Sequence, residues 1–188
     1  MVLAFLQGEI DSPRFGDCYQ AGLQKLGYSR ADLIDNANLS SDEQNLIRMD
    51  LLKAVRGYRS NQFLFQGFPD GVQWRRKALS PDDLARSKYA NHPTWIAISG
   101  GSRVAGDGAK NIVRKVAPEN ANENIQAVAD AMKGGKRYPP LIGVEGDNGE
   151  LILAEGHPRA TAHLLGGLNE NIEILVGTSP SMKNWAFY

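Results

Sequence analysis

Cysteine is almost absent from this chain: Cys18 stands alone in 188 residues. An intrachain disulfide and a cysteine metal cluster are therefore excluded, and the thiol is expected to be buried and inert. Charge of one sign is lacking too, with 21 Lys+Arg against 21 Asp+Glu. That balance predicts no global attraction to nucleic acid or to a membrane. No run approaches the ~20 apolar residues that span a bilayer. The first residues lack the basic region and long apolar stretch of a secretory signal, so the expected compartment is the cytoplasm, with no membrane partner. The Walker A pattern, the Gly-x-Ser-x-Gly elbow and metal-ligand spacing of Cys or His are all missing, and no metal ligand is expected from the chain. There is no repeat and no low-complexity tract. What remains, 42% apolar and 22% charged residues, is the composition of an ordinary folded domain.

Local signals divide the chain near residue 92 into a mainly helical region, 1–92, and a core, 93–188. Val2–Gln7 is short and apolar, and reads as a strand or a docked terminal segment. Ser12-Pro13 predicts a helix to Leu26, stopped by Gly27, and Ser29–Ile34 a further turn or two. Ser41 caps a helix ended by Gly57, with Leu46, Met49, Leu52 and Val55 along one slowly drifting face. Gln62–Phe68 and Val72–Leu79 read as short strands or extended segments around the turn Pro69-Asp70-Gly71. Ser80-Pro81-Asp82-Asp83 starts another helix that ends before Pro93.

In the second block Trp95–Ile98 is a strand candidate and Gly100–Arg103 a loop. Helices are expected over Asp107–Val116 and Asn122–Met132. Leu141–Val144 and Glu150–Ala154 read as strands of a hairpin turning at Asp147-Asn148-Gly149. A helix over Pro158–Leu165 and a strand over Ile172–Val176 follow. The overall expectation is α+β, a small mixed sheet with flanking helices.

Chemistry concentrates at Leu151-Ile152-Leu153-Ala154-Glu155-Gly156-His157-Pro158-Arg159-Ala160-Thr161-Ala162-His163. An apolar strand meets a glycine and passes straight into a helix. Pro158 suits the first helical position, where its missing N–H costs nothing. A helix start carries partial positive charge and exposes N–H groups, which makes it an anion site. Glu155, His157 and Arg159 converge on that turn. Arg159 is disfavoured by the helix dipole unless an anion joins it, which favours phosphate pairing.

The order of the second block resembles the core of the ParB/sulfiredoxin superfamily. The matching pieces are Asn122–Met132, then Lys136-Arg137-Tyr138-Pro139-Pro140-Leu141-Ile142-Gly143-Val144, then Leu151–Ala162 and Ile172–Val176. The resemblance covers roughly residues 95–178. It implies that the Gly-His-x-Arg turn holds nucleotide phosphates, through Gly156, His157, Arg159 and Ala160. It implies ATP, ADP or CTP as the nucleotide, with magnesium, and a phosphotransferase or nucleotide hydrolase activity. Sulfiredoxin carries its reactive cysteine where Gly156 stands here, so that activity is not expected. Partition proteins follow this core with a helix-turn-helix domain, whereas here only Gly177–Tyr188 follow, so chromosome partition is not expected either. The alternatives are a non-catalytic nucleotide-sensing module, a nucleic-acid- or protein-binding module, or a ParB-like nuclease. Residues 1–92 resemble nothing named.

Glu155, His157 and Arg159 are accordingly the catalytic candidates. Glu155 is read as a general base or metal-linked carboxylate, against a plain ion pair with Arg159 or Arg103. His163, one turn beyond Arg159, reads as structural. Ser102, Arg103 and Asp107, in and after a glycine-rich loop, are secondary phosphate-binding candidates. The partner expected is a nucleotide or a phosphorylated small molecule. Arg75-Arg76-Lys77 beside Trp74 reads as a solvated edge more than a nucleic-acid patch. Trp185, Phe187 and Tyr188 are expected to dock onto the core.

Overall fold

The computed structural model describes residues 1–146 and 148–188, with side chains throughout except at residues 119–122. Helices are α1 (Val2–Glu9), α2 (Gly16–Leu26), α3 (Asp42–Arg56), α4 (Pro81–Arg86), α5 (Pro93–Ile98), α6 (Ala105–Val113), α7 (Glu119–Lys133) and α8 (His157–Leu165). Strands are β1 (Gln73–Leu79), β2 (Lys88–Tyr89), β3 (Leu141–Glu145), β4 (Leu151–Glu155) and β5 (Ile172–Thr178). The fold is α+β. Two compact units divide the chain, one of 1–70 with 184–186, the other of 71–183 with 187–188. Among the described residues no helix is long and apolar enough to cross a membrane.

The first unit is helical. The apolar segment at Val2, expected as a strand or a docked terminal segment, forms the helix α1. Ala4, Phe5 and Leu6 in the middle of α1 are all buried, and a helix shows no amphipathic period when its whole girth is covered. The helix expected from Ser12 begins at Gly16 instead. Ser12 Oγ accepts from the Phe15 N–H at 3.1 Å and stabilises a turn there first. Cys18 is exposed, contrary to expectation, because α2 turns Tyr19 and Leu23 inward. Ser41 caps α3 through the Gln44 N–H at 3.2 Å, and Gly57 closes it at φ +80°, a left-handed C-cap that glycine adopts without strain.

The buried face of α3 is Arg48, Leu51 and Leu52, whereas Leu46 is 57% exposed. Strict three-residue spacing walks off the face, and the drift is taken up by a buried arginine. Arg48 donates to the carbonyls of Leu33 and Asn38, each at 3.0 Å, and to Asn45 Oδ1 at 2.6 Å. Burial pushes its guanidinium below the ordinary arginine value. Gln62–Phe68 contains a short 3₁₀ turn, Phe63–Phe65, rather than a strand. Trp185 docks in this unit, donating from its indole N–H to the Leu64 carbonyl at 2.6 Å.

The second unit carries one mixed sheet, ordered β1-β5-β3-β4-β2. Thus β1 belongs to the sheet, pairing antiparallel with β5, while β3 pairs parallel with β5 and antiparallel with β4. The turn residue Asp147 lies outside the described residues. The register of β3 on β4 slips between Ile142 and Gly143, so Ile142 faces Glu155 while Gly143 faces Leu153. Such a bulge re-aims the next side chain, which here is Glu155. Trp95–Ile98, expected as a strand, is the helix α5. His92 Nδ1 caps it by accepting the Thr94 N–H at 3.3 Å, and Pro93 sits at its start. Helix α8 lies between two apolar layers. Ala160 packs with Leu141, Leu153, Ile174 and Val176. Ala162 packs with Ile98, Ile112, Ile125 and Ala129. Alanines let both neighbours approach closely, which is why every residue from Arg159 to His163 is buried.

Candidate functional site

Strand β4 ends at Glu155 and α8 begins at His157, with Gly156 as the N-cap at φ +90°. Pro158 is therefore second in the helix, not first. A Cβ on Gly156 would stand 2.5 Å from Leu141 Cδ2 and 2.9 Å from an Arg159 terminal nitrogen. The position needs glycine both for its left-handed backbone and because the Arg159 guanidinium folds back against it.

Arg159 is 6% exposed. One of its terminal nitrogens donates to Glu155 in an i,i+4 ion pair, and both side chains are largely buried. Its Nε is fully buried and has no hydrogen-bond partner. A buried charged donor without an acceptor is costly, so this atom marks where an acceptor would be stabilising. Glu155 is the ion-pair partner of Arg159, which was one of its two expected readings.

His157 is held more firmly than a phosphate ligand requires. Its ring stacks on Trp95 at 4.8 Å and an interplanar angle of 14°, and lies 5.8 Å from Tyr89. Its Nε2 accepts the Ala90 N–H at 3.2 Å. The histidine thus ties the start of α8 to the segment after β2. Thr161 and Tyr89 reinforce that tie, their hydroxyls 2.6 Å apart. Burial pushes the Tyr89 phenol well above its ordinary value, the nearby Asp107 charge adds to this, and the Thr161 contact opposes it. Ala160 is fully buried and its N–H bonds the Gly156 carbonyl at 2.9 Å.

A cavity of about 410 Å³ is lined in part by Arg159, within the ~300–1,000 Å³ usual for small-ligand sites. Lys136, Arg137, Tyr138, Arg159, His163 and Glu170 contribute to its lining. Lys136 lies over the Tyr138 ring at 5.1 Å. His163 Nε2 bonds the main-chain oxygen of Glu170 at 2.9 Å, fixing one wall.

Of the expected site residues, only Arg159 reaches this cavity. Gly156 backs its guanidinium, Glu155 pairs with it, and His157 and Ala160 face other neighbours. Ser102, Arg103 and Asp107 do not line it. Arg103 donates from Nε to the Tyr89 carbonyl at 3.0 Å and from a terminal nitrogen to the Tyr188 main-chain oxygen at 3.1 Å. Burial lowers its guanidinium pKa, opposed by Glu150. Ser102 Oγ donates to the Ser99 carbonyl at 3.2 Å, and Asp107 pairs with Lys110 at 3.5 Å on the surface. Arg75 and Lys77 share Glu145, and Arg76 faces Glu173, so carboxylates already answer that basic run.

Lys136 and Arg137 were missed as site residues. The signal that could have found them is a basic pair held between Gly134-Gly135 and Pro139-Pro140, straight after a helix. Among the described residues no group of three or more His, Cys, Asp or Glu side chains could hold a metal ion. Compared with protein-family models, with curated proteins and with solved structures, the chain matches none of them.

Proposed function

We propose that this chain binds a phosphate-bearing small molecule, nucleotides included, in the cavity beside Arg159. The observation that carries the reading is that Arg159, whose buried Nε is a charged donor without an acceptor, lines a ligand-sized cavity. Lys136 and Arg137 line the same space and add the charge that phosphate recognition uses. The ParB/sulfiredoxin resemblance supports the same reading, since it too points to the arginine of the Gly-His-x-Arg turn. A nucleotide's phosphate would sit against Arg159, Lys136 and Arg137. Magnesium, if used, would arrive on the phosphate oxygens.

Binding is favoured over catalysis by one feature: Glu155, the candidate base, is the counter-ion of Arg159. It orients the guanidinium and holds it over Gly156. Calorimetry with ATP, ADP, CTP, GTP and inorganic phosphate, with and without magnesium, tests the reading. At least one ligand should bind, and Arg159→Gln should weaken it by about 1.5–3 kcal/mol. Silence with every ligand refutes it.

A further inference from the structure

The residues around the Arg159 cavity differ in burial according to their chemistry. Lys136, Arg137, Glu170 and Glu173 are exposed. Arg159 and His163, one turn apart on α8, are only 6% and 4% exposed. Met132, Pro139, Pro140, Leu168 and Ile172 line the same space and are half-buried, so apolar surface is left bare within it. From this we infer that the cavity takes a phosphate ester with a hydrocarbon body, the phosphate at Arg159 and the hydrocarbon on those five side chains. The inference rests on the phosphate-binding reading and narrows it.

Charge does not sort one phosphate from another here. Glu155 answers Arg159, Arg76 lies 3.5 Å from Glu173, and the exposed lining charges are screened by solvent and salt. Discrimination falls to the ligand's body. A phosphate alone fills only a small part of about 410 Å³, and the rest holds water against apolar side chains. Replacing that water with hydrocarbon is favourable, by about fourfold in affinity for each methylene buried. A hydroxyl-bearing body gains less, because the five apolar side chains offer no strong hydrogen-bond partner and its hydroxyls lose water.

Titration calorimetry on the full chain with inorganic phosphate, methyl phosphate, n-butyl phosphate and glycerol 3-phosphate tests this. The three esters carry the same charged group and differ only in the body. n-Butyl phosphate should bind about 10- to 60-fold more tightly than methyl phosphate, through its three further methylenes, and with a more negative heat-capacity change. Glycerol 3-phosphate should stay within about threefold of methyl phosphate, since its hydroxyls gain nothing from an apolar surface. Leu168→Ser should cut the butyl-to-methyl ratio by about fourfold or more, and Met132→Gln should lower the same ratio from the side of α7. Each ratio is taken within one protein, so a general loss of stability does not imitate the effect. A parent ratio below about threefold, or a ratio that neither substitution moves, overturns the inference and leaves the phosphate-binding reading standing. No binding of any of the four overturns both.

Discussion

Glu155→Gln separates an anion site from an inert ion pair. In the folded protein the Arg159 and Glu155 side chains are 7% and 12% exposed. Breaking such a buried pair from one side costs about 3–5 kcal/mol, because the remaining charge is desolvated and uncompensated. Glutamine keeps an oxygen acceptor for the guanidinium, so the expected loss is about 2–3 kcal/mol, with a hydrogen bond retained and the charge lost. Urea denaturation in chloride buffer measures it. The anion reading adds a second requirement. A bound phosphate supplies the missing negative charge, and a ligand at 100 times its Kd stabilises the folded state by about 2.7 kcal/mol. Phosphate should therefore recover most of the loss in Glu155→Gln and should stabilise it more than it does the parent chain. The control is Glu155→Leu/Arg159→Met, in which no charge is left buried. It should be more stable than Glu155→Gln and indifferent to phosphate. A loss below about 0.5 kcal/mol, the level of an ordinary surface substitution, would show that the pair is not buried as described. Equal stabilisation of all three chains by phosphate would show that the anion acts elsewhere.

Gly156→Ala should cost about 2–4 kcal/mol, from left-handed strain and from the Cβ contacts with Leu141 and Arg159, and should weaken phosphate binding; thermal unfolding with and without phosphate reads both. His157→Ala removes the Trp95 stack and leaves the Ala90 N–H unanswered, so urea unfolding should show a loss of about 2–4 kcal/mol with little change in phosphate affinity at the Arg159 cavity. Arg48→Met should destabilise by about 2–4 kcal/mol, because the Leu33 and Asn38 carbonyls lose a charged donor, and hydrogen exchange should speed up around residues 33–39. Glu150 has its pKa held below the ordinary carboxylate value, chiefly by Lys88 and next by Asn148. Its contribution is present above the unfolded-state value and is lost as pH falls through the depressed one. Glu150→Gln should then be less stable than the parent at pH 7 and match it near pH 2, with a small difference because both partners are partly exposed.

Legibility followed the range of the interaction. Helix α3 could be read from Ser41 and Gly57 because capping is settled within four residues. Strands β3, β4 and β5 could be read because buried runs bounded by glycine and proline leave few alternatives. The four residues Trp95–Ile98 satisfy a strand and a buried helix turn equally well, and the His92 cap that decides between them uses an uncommon capping residue. The strand alternative for Val2–Gln7 fails because α1 has no exposed residue, with Ala4, Phe5 and Leu6 all buried, and so shows no period. Arg48 was invisible because two of its acceptors are the carbonyls of Leu33 and Asn38 in the segment before α3, whose placement leaves no mark on residue type. The same holds for the cavity. Residues 132–140, α8 and residues 168–173 meet only in three dimensions, so the turn at Gly156 could be picked out while Lys136, Arg137 and Glu170 could not. At the turn itself the residue types raised the expectation of an anion site, and gave no sign that His157 would be spent on Trp95 and Ala90.

The account depends on one atom, the buried and unpartnered Nε of Arg159. Its N–H resonance can be followed by proton–nitrogen correlation NMR and assigned by its disappearance in Arg159→Lys. During titration with inorganic phosphate and with glycerol 3-phosphate, that resonance should shift progressively and saturate, while the Nε–H of Arg103 stays in place. An Arg159 resonance that does not move, while those of other arginines do, would contradict the account.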